Sequence, residues 1–406
     1  MKAGLGLAAA LLAAASAPRV AHAGGLERPN GISARAVGQG GAFCAVADDG
    51  TAWHWNPGAP ALNSPTATIG AELVIAPRSY VPIDAAGTRG AAQSPDTPIV
   101  PVPSIGVSVR ASDRVTVGGG VWNPFGGQLT YTKTGMAAID ATQDLVLEVV
   151  GGVAYKVTPR LAVGATVRLG IGLFSVETTD RPVTSDISGF GLGPGVGFGV
   201  AWRPIPRLAF GATWRSAMTV DVSGSGKLAI GSGLDLDMSH KQEWPQSVEL
   251  GAAVAATSTV RISAQVDWTG WTSFEQLAVR FPARPAADQV YALDWDNTLS
   301  FRLGAQWQAT PTVAVRAGAY VDGNAVPDRT IERQYLDSTK TGGSIGGGVR
   351  FGAWRVDGAF DLVAGPPRTV PDNSAEVGAF SGLANIAPGE HDGSVYTFEL
   401  ALGRRM

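Results

Sequence analysis

The sequence predicts a transmembrane antiparallel β-barrel of about 14 strands, with an amino-terminal plug inside it. Three observations support this fold class: the strands have two chemically different faces, short turns alternate with long loops, and an export signal opens the chain. The apolar runs after residue 23 are too short for membrane-spanning helices.

Strict alternation of apolar and polar residues predicts the strands. In residues 299–308, LSFRLGAQWQ, every second residue from Leu299 to Trp307 is apolar, and the residues between them are small or polar. Residues 260–268 and 354–362 repeat the pattern. A period of two residues is typical of a β-strand between two environments. A soluble β-sandwich would alternate too, but aromatic residues near the predicted strand ends favour a barrel with two membrane interfaces.

The connections predict the strand count. Short turns at 111–114, 157–160, 203–207, 256–259, 309–312 and 351–353 each join two alternating runs as a hairpin. Longer polar segments lie near 81–100, 123–143, 178–189, 221–243, 269–297, 323–340 and 364–392. Six short and seven long connections join 14 strands over residues 66–406, which is the layout of an outer-membrane barrel.

The start of the chain indicates export. Residues 1–23 combine Lys2, an apolar run over 3–17 and the small-x-small site Ala21-His22-Ala23, which is the pattern of a secretory signal peptide. The single cysteine, Cys44, gives no disulfide framework.

Composition and spacing argue against other classes of protein. A formal charge of −3 without a basic cluster argues against nucleic acid binding. His240 and His391 lie in predicted outer loops without Cys or His partners at ligand spacing, so we expect both to be exposed and expect no metal site or cofactor. Few histidines remain after cleavage and none is placed to activate a serine, which argues against a lipid hydrolase.

The segment before the first strand predicts a plug. Residues 24–65 lack the strand pattern, and a 14-stranded wall encloses more space than its own side chains fill. Charges of both signs face the lumen, so we expect Asp48 and Asp49 of the plug to pair with wall residues such as Arg302 or Arg316. An open porin for polar solutes is the alternative, which the plug disfavours.

Four stretches resemble one known family. Residues 34–62, ARAVGQGGAFCAVADDGTAWHWNPGAPAL, are similar to the amino-terminal hatch of the long-chain fatty acid and hydrocarbon transporters of Gram-negative outer membranes. Residues 118–127, 266–281 and 316–348 resemble wall strands of the same family in the same order. The resemblance covers the whole mature chain and implies a hatch over residues 24–65.

The resemblance implies a route for a hydrophobic molecule: capture among the outer loops, passage into the lumen, and sideways release through a gap in the wall. The candidate residues fall in three groups. Those of the hatch are Trp53, Trp55, Asn56, Pro57 and Gly58; those of the gap strand are Gly118, Gly119, Gly120, Asn123, Pro124 and Phe125; those of the capture loop are Leu228, Ile230, Leu234, Leu236 and Met238.

Each group has a simpler structural alternative. Glycine and proline weaken strand pairing, but Asn123-Pro124 would also suit the start of an outer loop. The Asn-Pro-Gly turn suits a gate or a plain tight turn, and the two tryptophans suit a substrate pocket or packing against the wall. We expect long-chain fatty acids as the substrate, with aromatic hydrocarbons as the alternative, and a monomer in contact with outer-membrane lipid and lipopolysaccharide.

Overall fold

The strands form one closed wall. A computed structural model describes residues 31–84, 86–96, 99–131, 139–178, 185–229, 233–331, 334–370 and 388–406. The predicted signal peptide lies outside these residues. The wall strands are β1 (Thr66–Ile75), β4 (Val100–Arg110), β5 (Val115–Tyr131), β6 (Ile139–Thr158), β7 (Leu161–Thr178), β8 (Ser185–Ile205), β9 (Leu208–Arg215) continued by β10 (Met218–Leu228), β11 (Leu234–Trp244) continued by β12 (Ser247–Ala255), β13 (Val260–Thr269), β16 (Thr298–Gln308), β17 (Val313–Asp322), β18 (Lys340–Phe351), β19 (Trp354–Ala364) and β21 (Gly389–Arg405).

These segments make 14 antiparallel wall strands, and the predicted fold class is confirmed. Each strand pairs with its neighbours in the chain, and β21 closes the barrel by pairing with both β19 and β1. Five short strands lie outside the wall count: β2 (Arg78–Pro82), β3 (Pro95–Asp96), β14 (Gln276–Arg280), β15 (Gln289–Ala292) and β20 (Arg368–Val370). They belong to the long connections at one end of the barrel.

The outer face of the wall is apolar, as alternation predicts. On β16, Leu299, Phe301 and Leu303 are more than half exposed, whereas Ser300 and Arg302 are buried. In a closed barrel the exposed face meets the lipid and the buried face meets the lumen. Trp202, Trp307 and Trp354 are also exposed, near the short-turn ends of their strands. None of the helices in the described ranges is long and apolar enough to cross a membrane.

Several predicted loops are strands. Segment 221–243 lies almost wholly in β10 and β11, which pair over their full length. Residues 123–131 continue β5, and segment 269–297 contains the hairpin of β14 and β15 together with the 3-10 turns Trp271–Ser273 and Pro285–Ala287. The predicted loop boundaries were wrong here because the outward face of β10 and β11 is polar, so their apolar residues, which face the lumen, are interleaved with Asp, Ser and Lys.

The segment before β1 lies inside the barrel. It contains the short helices α1 (Ala34–Val37) and α2 (Ala52–Trp55) and the 3-10 turn Ala59–Leu62, and nearly all of its residues from Ile32 to Ala61 are buried. A fourth 3-10 turn, Asp328–Thr330, belongs to the connection after β17. We call residues 31–65 the hatch; the predicted hatch residues 24–30 lie outside the described ranges.

Candidate functional site

The hatch sits against wall glycines that face each other across neighbouring strands. Among the described residues, five such cross-strand pairs lie at the level of the hatch. We call them the glycine pairs: Gly106–Gly120, Gly118–Gly152, Gly164–Gly199, Gly211–Gly251 and Gly304–Gly318. At least one glycine of each pair lies against a hatch atom.

These glycines leave no room for a side chain. A methyl group on Gly304 would lie 2.6 Å from the carbonyl oxygen of Gln39, and one on Gly152 would lie 2.5 Å from the indole ring of Trp53. Methyl groups on Gly164 and Gly211 would overlap the carbonyl groups of Pro57 and Cys44. The hatch is therefore held by close approach of backbone to backbone, which only glycine allows.

The predicted hatch turn is pinned at this level of the barrel. The Asn56 side-chain amide donates to the carbonyl oxygen of Cys44 at 3.0 Å and to that of Val200, on β8, at 2.9 Å. Its amide oxygen accepts from the Gly58 backbone N–H at 3.0 Å. Asn56 thus shapes the Asn-Pro-Gly turn and ties it to the wall.

The two hatch tryptophans also make defined bonds. The Trp53 indole donates to the carbonyl oxygen of Val107, on β4, at 2.8 Å, and the Trp55 indole donates to that of Ile32 within the hatch at 2.7 Å. Trp53 therefore packs against the wall, and Trp55 lies at the upper surface of the hatch beside His54, with 5.2 Å between their ring centroids.

A layer of ion pairs lies on the long-loop side of the hatch. Arg302 pairs with Asp267 and, at 3.1 Å, with Asp322. Two more pairs join neighbouring strands, Arg168 with Glu148 and Arg215 with Glu249. Arg316 pairs with Asp357 across the intervening strand β18, nearer the short turns and beside Gly38 of the hatch. All of these charged residues are buried. The layer also contacts the hatch, since Arg215 donates to the His54 carbonyl oxygen at 3.0 Å.

The expected pairing of Asp48 and Asp49 with Arg302 or Arg316 was wrong. Asp48 pairs with Arg35 of the hatch itself at 2.7 Å. Asp49 accepts hydrogen bonds from Ser33 and from the backbone and side chain of Thr51. The donors that bond the hatch carboxylates belong to the same compact segment, while Arg302 and Arg316 already pair with wall carboxylates.

These surroundings shift the two carboxyl groups in opposite directions. Burial acts to raise the pKa of Asp48, but the positive charge of Arg35 and of nearby wall arginines outweighs it and holds that pKa below its usual range. Burial dominates at Asp49 and raises its pKa, despite its hydrogen bonds.

A cluster of buried aromatic rings lies beyond the ion pairs, toward the long loops. We call its core, Phe125, Trp244, Trp271, Phe274 and Trp295, the aromatic cluster. Phe125 stacks on Trp244 with a centroid distance of 5.3 Å, and Trp295 lies 5.1 Å from Trp271 and 4.8 Å from Phe274. A narrow cavity of about 20 Å³, lined by residues including Trp55 and Phe125, separates the hatch from this cluster.

The wall is interrupted beside the aromatic cluster. Strands β4 and β5 pair from Arg110 and Thr116 up to Ile105 and Val121, and β5 next pairs on that side with β3, at Thr130 and Tyr131. Among the described residues, 122–129 of β5 have no ladder partner on the β4 side. We call this interruption the wall gap.

Two features of the sequence maintain the wall gap. The Ala111 N–H donates to Val115 of β5, so the odd-numbered residues of β4 point their backbone groups toward β5. Pro101 and Pro103 occupy two of these positions and have no N–H to donate. On β5, a bulge at Asn123 and Pro124 interrupts the register with β6, between Trp122 and Phe125.

Comparison with known proteins agrees with this geometry. The family model described as "Outer membrane protein transport protein (OMPP1/FadL/TodX)" matches residues 14–401. The chain belongs to this family. Its members are outer-membrane transport proteins of Gram-negative bacteria, which confirms the predicted family, the predicted location and a transport role in place of an enzymatic one. A search of curated protein sequences found no match.

Solved structures show the same fold at low sequence identity. A FadL homologue of Pseudomonas aeruginosa is 16% identical, with a TM-score of 0.81, and the match covers 94% of this chain and 99% of that one. The toluene transporters TodX of P. putida and TbuX of Ralstonia pickettii are also 16% identical, with TM-scores of 0.71 and 0.69. Those matches cover 95% and 93% of this chain and 99% of each of the other chains.

Within this FadL/TodX fold, the residues predicted for the gap strand do not all lie at the wall gap. Gly118 and Gly120 belong to the glycine pairs and are fully paired in the wall, so the interruption begins after them, at Asn123, Pro124 and Phe125. Gly119 pairs with Val107 and Gly151.

The predicted capture-loop residues are mostly wall residues. Leu228 ends β10, while Leu234, Leu236 and Met238 lie on β11; all four belong to or pack on the apolar cluster inside the barrel. Ile230 lies outside the described residues. His240 and His391, expected to be exposed, are buried on β11 and β21, with 5% and 1% of their surfaces exposed. His240 stacks on Phe174 at 4.2 Å, and His391 lies 4.8 Å from the Tyr80 ring.

Sequence reasoning missed two sets of functional residues. The glycine pairs join residues far apart in the chain, so only the strand register reveals them. The aromatic cluster draws on Trp271, Phe274 and Trp295, which the sequence places in a polar connection. Three aromatic rings within 25 residues of one predicted loop were the available signal.

Proposed function

We propose that this protein moves small hydrophobic molecules from the outer surface into the aromatic cluster and releases them sideways through the wall gap into the outer membrane. The position of the gap carries this proposal. Phe125 belongs to the aromatic cluster and also follows the bulge on the gap strand, so cluster and gap share a residue.

The layer below the aromatic cluster supports a sideways route. An apolar molecule moving straight toward the periplasm would have to separate buried ion pairs such as Arg302 with Asp267, and then the seated hatch. Breaking a buried pair costs about 3–5 kcal/mol. Transfer into lipid instead keeps the molecule in apolar surroundings, whereas release into water would cost about 0.8 kcal/mol per methylene group.

For the substrate, we propose uncharged aromatic compounds ahead of long-chain fatty acids. A fatty acid carries a carboxylate and needs a cation, but Arg168, Arg215, Arg302 and Arg316 each already face a wall carboxylate. The rings of the aromatic cluster offer flat apolar contacts that suit an aromatic compound. Fatty acid transport, expected from the resemblance alone, stays a prediction, as do the monomeric state and contact with lipopolysaccharide.

Uptake by cells tests the function. The protein is expressed in Gram-negative cells that lack their own hydrophobic-compound transporter, and the initial uptake of labelled p-xylene and of labelled oleate is measured. We expect p-xylene uptake above the empty-vector level. Uptake of oleate alone would replace the aromatic proposal with the fatty acid one, and uptake of neither compound would refute transport.

Closing the wall gap tests the route. Deleting Pro124 removes the extra residue of the bulge and keeps Phe125 opposite Val146, and Pro101→Val with Pro103→Val restores two N–H donors toward β5. We expect uptake by this variant to fall to the empty-vector level while the barrel remains folded. Pro194→Val, in the exposed face of β8, is the matched control. Unchanged uptake by the variant with restored strand pairing would show that the substrate does not leave through the wall gap.

A further inference from the structure

One carboxyl group in the upper lumen lacks the partner that the others have. Asp144 lies on β6 with 1% of its surface exposed, and its cross-strand neighbours are Gly127 and Phe174. Glu148, four residues along the same face, pairs with Arg168, but no ion pair involves Asp144 among the described residues. A buried carboxyl group without a cation is costly, so its presence needs an explanation.

Among the described residues, one side chain donates a hydrogen bond to Asp144. The Gln242 side-chain amide of β11 donates to its Oδ1 atom. Its Oδ2 atom is buried and has no hydrogen-bond partner in the described part of the chain. Gln242 itself lies close over Gly172, where a methyl group would overlap it, so the wall makes room for this amide. The hydrogen bond from Gln242 therefore fixes the orientation of the Asp144 carboxyl group and of its free oxygen.

The surroundings of Asp144 are apolar and aromatic. Val146 and Phe174, on the same inner surface, belong to the apolar cluster that contains Phe125 and Trp244. Trp244 is two residues from Gln242, on the same face of β11, and its indole nitrogen is also buried without an acceptor in the described residues. The region thus combines flat apolar contacts with three buried polar atoms that have no partner among the described residues: the free Asp144 oxygen, the Gln242 side-chain oxygen and the Trp244 indole nitrogen.

We infer that Asp144 makes this lumen select hydrophobic aromatic molecules that carry a hydrogen-bond donor, such as an uncharged phenol or aromatic amine. The ring would pack in the aromatic cluster, and its hydroxyl or amino group would donate to the free oxygen of Asp144. A site with a buried acceptor discriminates against a ligand of the same shape that leaves this acceptor unpaired. Asp144 is then a specificity-determining residue for transport, and the inference rests on the proposed function.

Matched substrates separate the inference from the function on which it rests. Labelled p-xylene and p-cresol share a ring and a methyl group and differ in one methyl against one hydroxyl. Uptake of both is measured in the same cells, each corrected for the empty-vector level. We expect the wild-type protein to favour p-cresol by about tenfold, and Asp144→Leu to bring the ratio close to one while p-xylene uptake persists.

The control and the contrary outcomes are defined by the same ratio. Asp237→Leu, on the exposed face of β11, should leave the ratio unchanged. Asp144→Asn keeps the shape and an acceptor oxygen, so it should give an intermediate ratio, and it serves if Asp144→Leu fails to fold. Equal uptake of the two compounds by the wild type, or a preference that survives both substitutions, would overturn the inference. Failure of the wild type to take up either compound would instead refute the proposed function.

Discussion

The two halves of the lumen are filled in opposite ways. The half near the short turns is filled by the hatch, whose backbone lies directly against wall glycines such as Gly211 and Gly304. The half near the long loops is filled by large side chains, including Trp244, Trp271 and Trp295. Backbone against backbone leaves nothing that can rotate aside, whereas aromatic side chains can change rotamer and admit another ring. The difference indicates a fixed seal below and an adaptable chamber above.

Of the changes that test this difference between the two halves, adding side chains to a glycine pair should have the largest effect, because it displaces the hatch. Gly164→Val with Gly199→Val would place branched side chains against Pro57 and Asn56 of the hatch. Each overpacked site costs about 1–3 kcal/mol, so the seated hatch should become at least about tenfold less favoured. We expect a marked rise in ion conductance across a planar bilayer.

A glycine in open space provides the control for that experiment. Gly343→Val lies on β18 at a position where a methyl group meets no atom within 4 Å, and it should leave the conductance at the wild-type level. A closed channel in the double valine variant would contradict the view that the hatch is held by the glycine pairs.

A substitution in the upper half should have a smaller effect of a different kind. Trp271→Ala removes a ring that contacts Phe125, Phe274 and Trp295. Because one aromatic contact is worth about 0.5–1.5 kcal/mol, p-xylene uptake should fall about threefold to tenfold. Ion conductance should not rise, since the hatch is untouched. A leak without loss of uptake would reverse the roles assigned to the two halves.

Acid should produce the smallest effect, within the hatch itself. The pKa of Asp48 lies below that of the unfolded chain, so its pair with Arg35 stabilises the hatch above about pH 4 and this contribution is lost as pH falls through the folded value. The raised pKa of Asp49 acts in the opposite direction. We expect a weak leak below about pH 4.

Substituting Asp48 and Asp49 one at a time distinguishes the contributions of the two carboxyl groups to the acid-induced leak. Asp48→Asn removes the negative partner of Arg35, so the leak should already be measurable at neutral pH and should no longer increase on acidification. Asp49→Asn should keep the acid-induced leak of the wild type. Identical pH profiles for all three proteins would show that the Asp48 pair does not hold the hatch.

The sequence was sufficient to predict the strands of the wall, but it was not sufficient to predict the contacts inside the barrel. Alternation in stretches such as 299–308 depends only on which face meets lipid, so the strands and their number were predictable. The same signal continues through Val220 and Val222 to Leu228, but interleaved Asp and Ser residues made that stretch resemble a loop. Polar residues on the outer face are expected where a strand rises above the lipid.

The candidate site was only partly predictable because it depends on strand register. Pro124 signalled a break, and the structure places a bulge there; nothing in the sequence indicated that the break starts beyond Gly118 and Gly120. The partner of Asp48 was misassigned because charge alone does not reveal distance. Arg35 was in the same segment, 13 residues away.

The way the hatch is seated also sets the order of events during folding. Gly50 of the hatch touches Gly106 on β4, near the start of the barrel, while Gly38 lies against Gly346 on β18, near its end. These contacts are separated by most of the chain, and contacts of that kind form late. We therefore expect the first segment to be exported to reach its final position only when the last strands pair and the barrel closes around it.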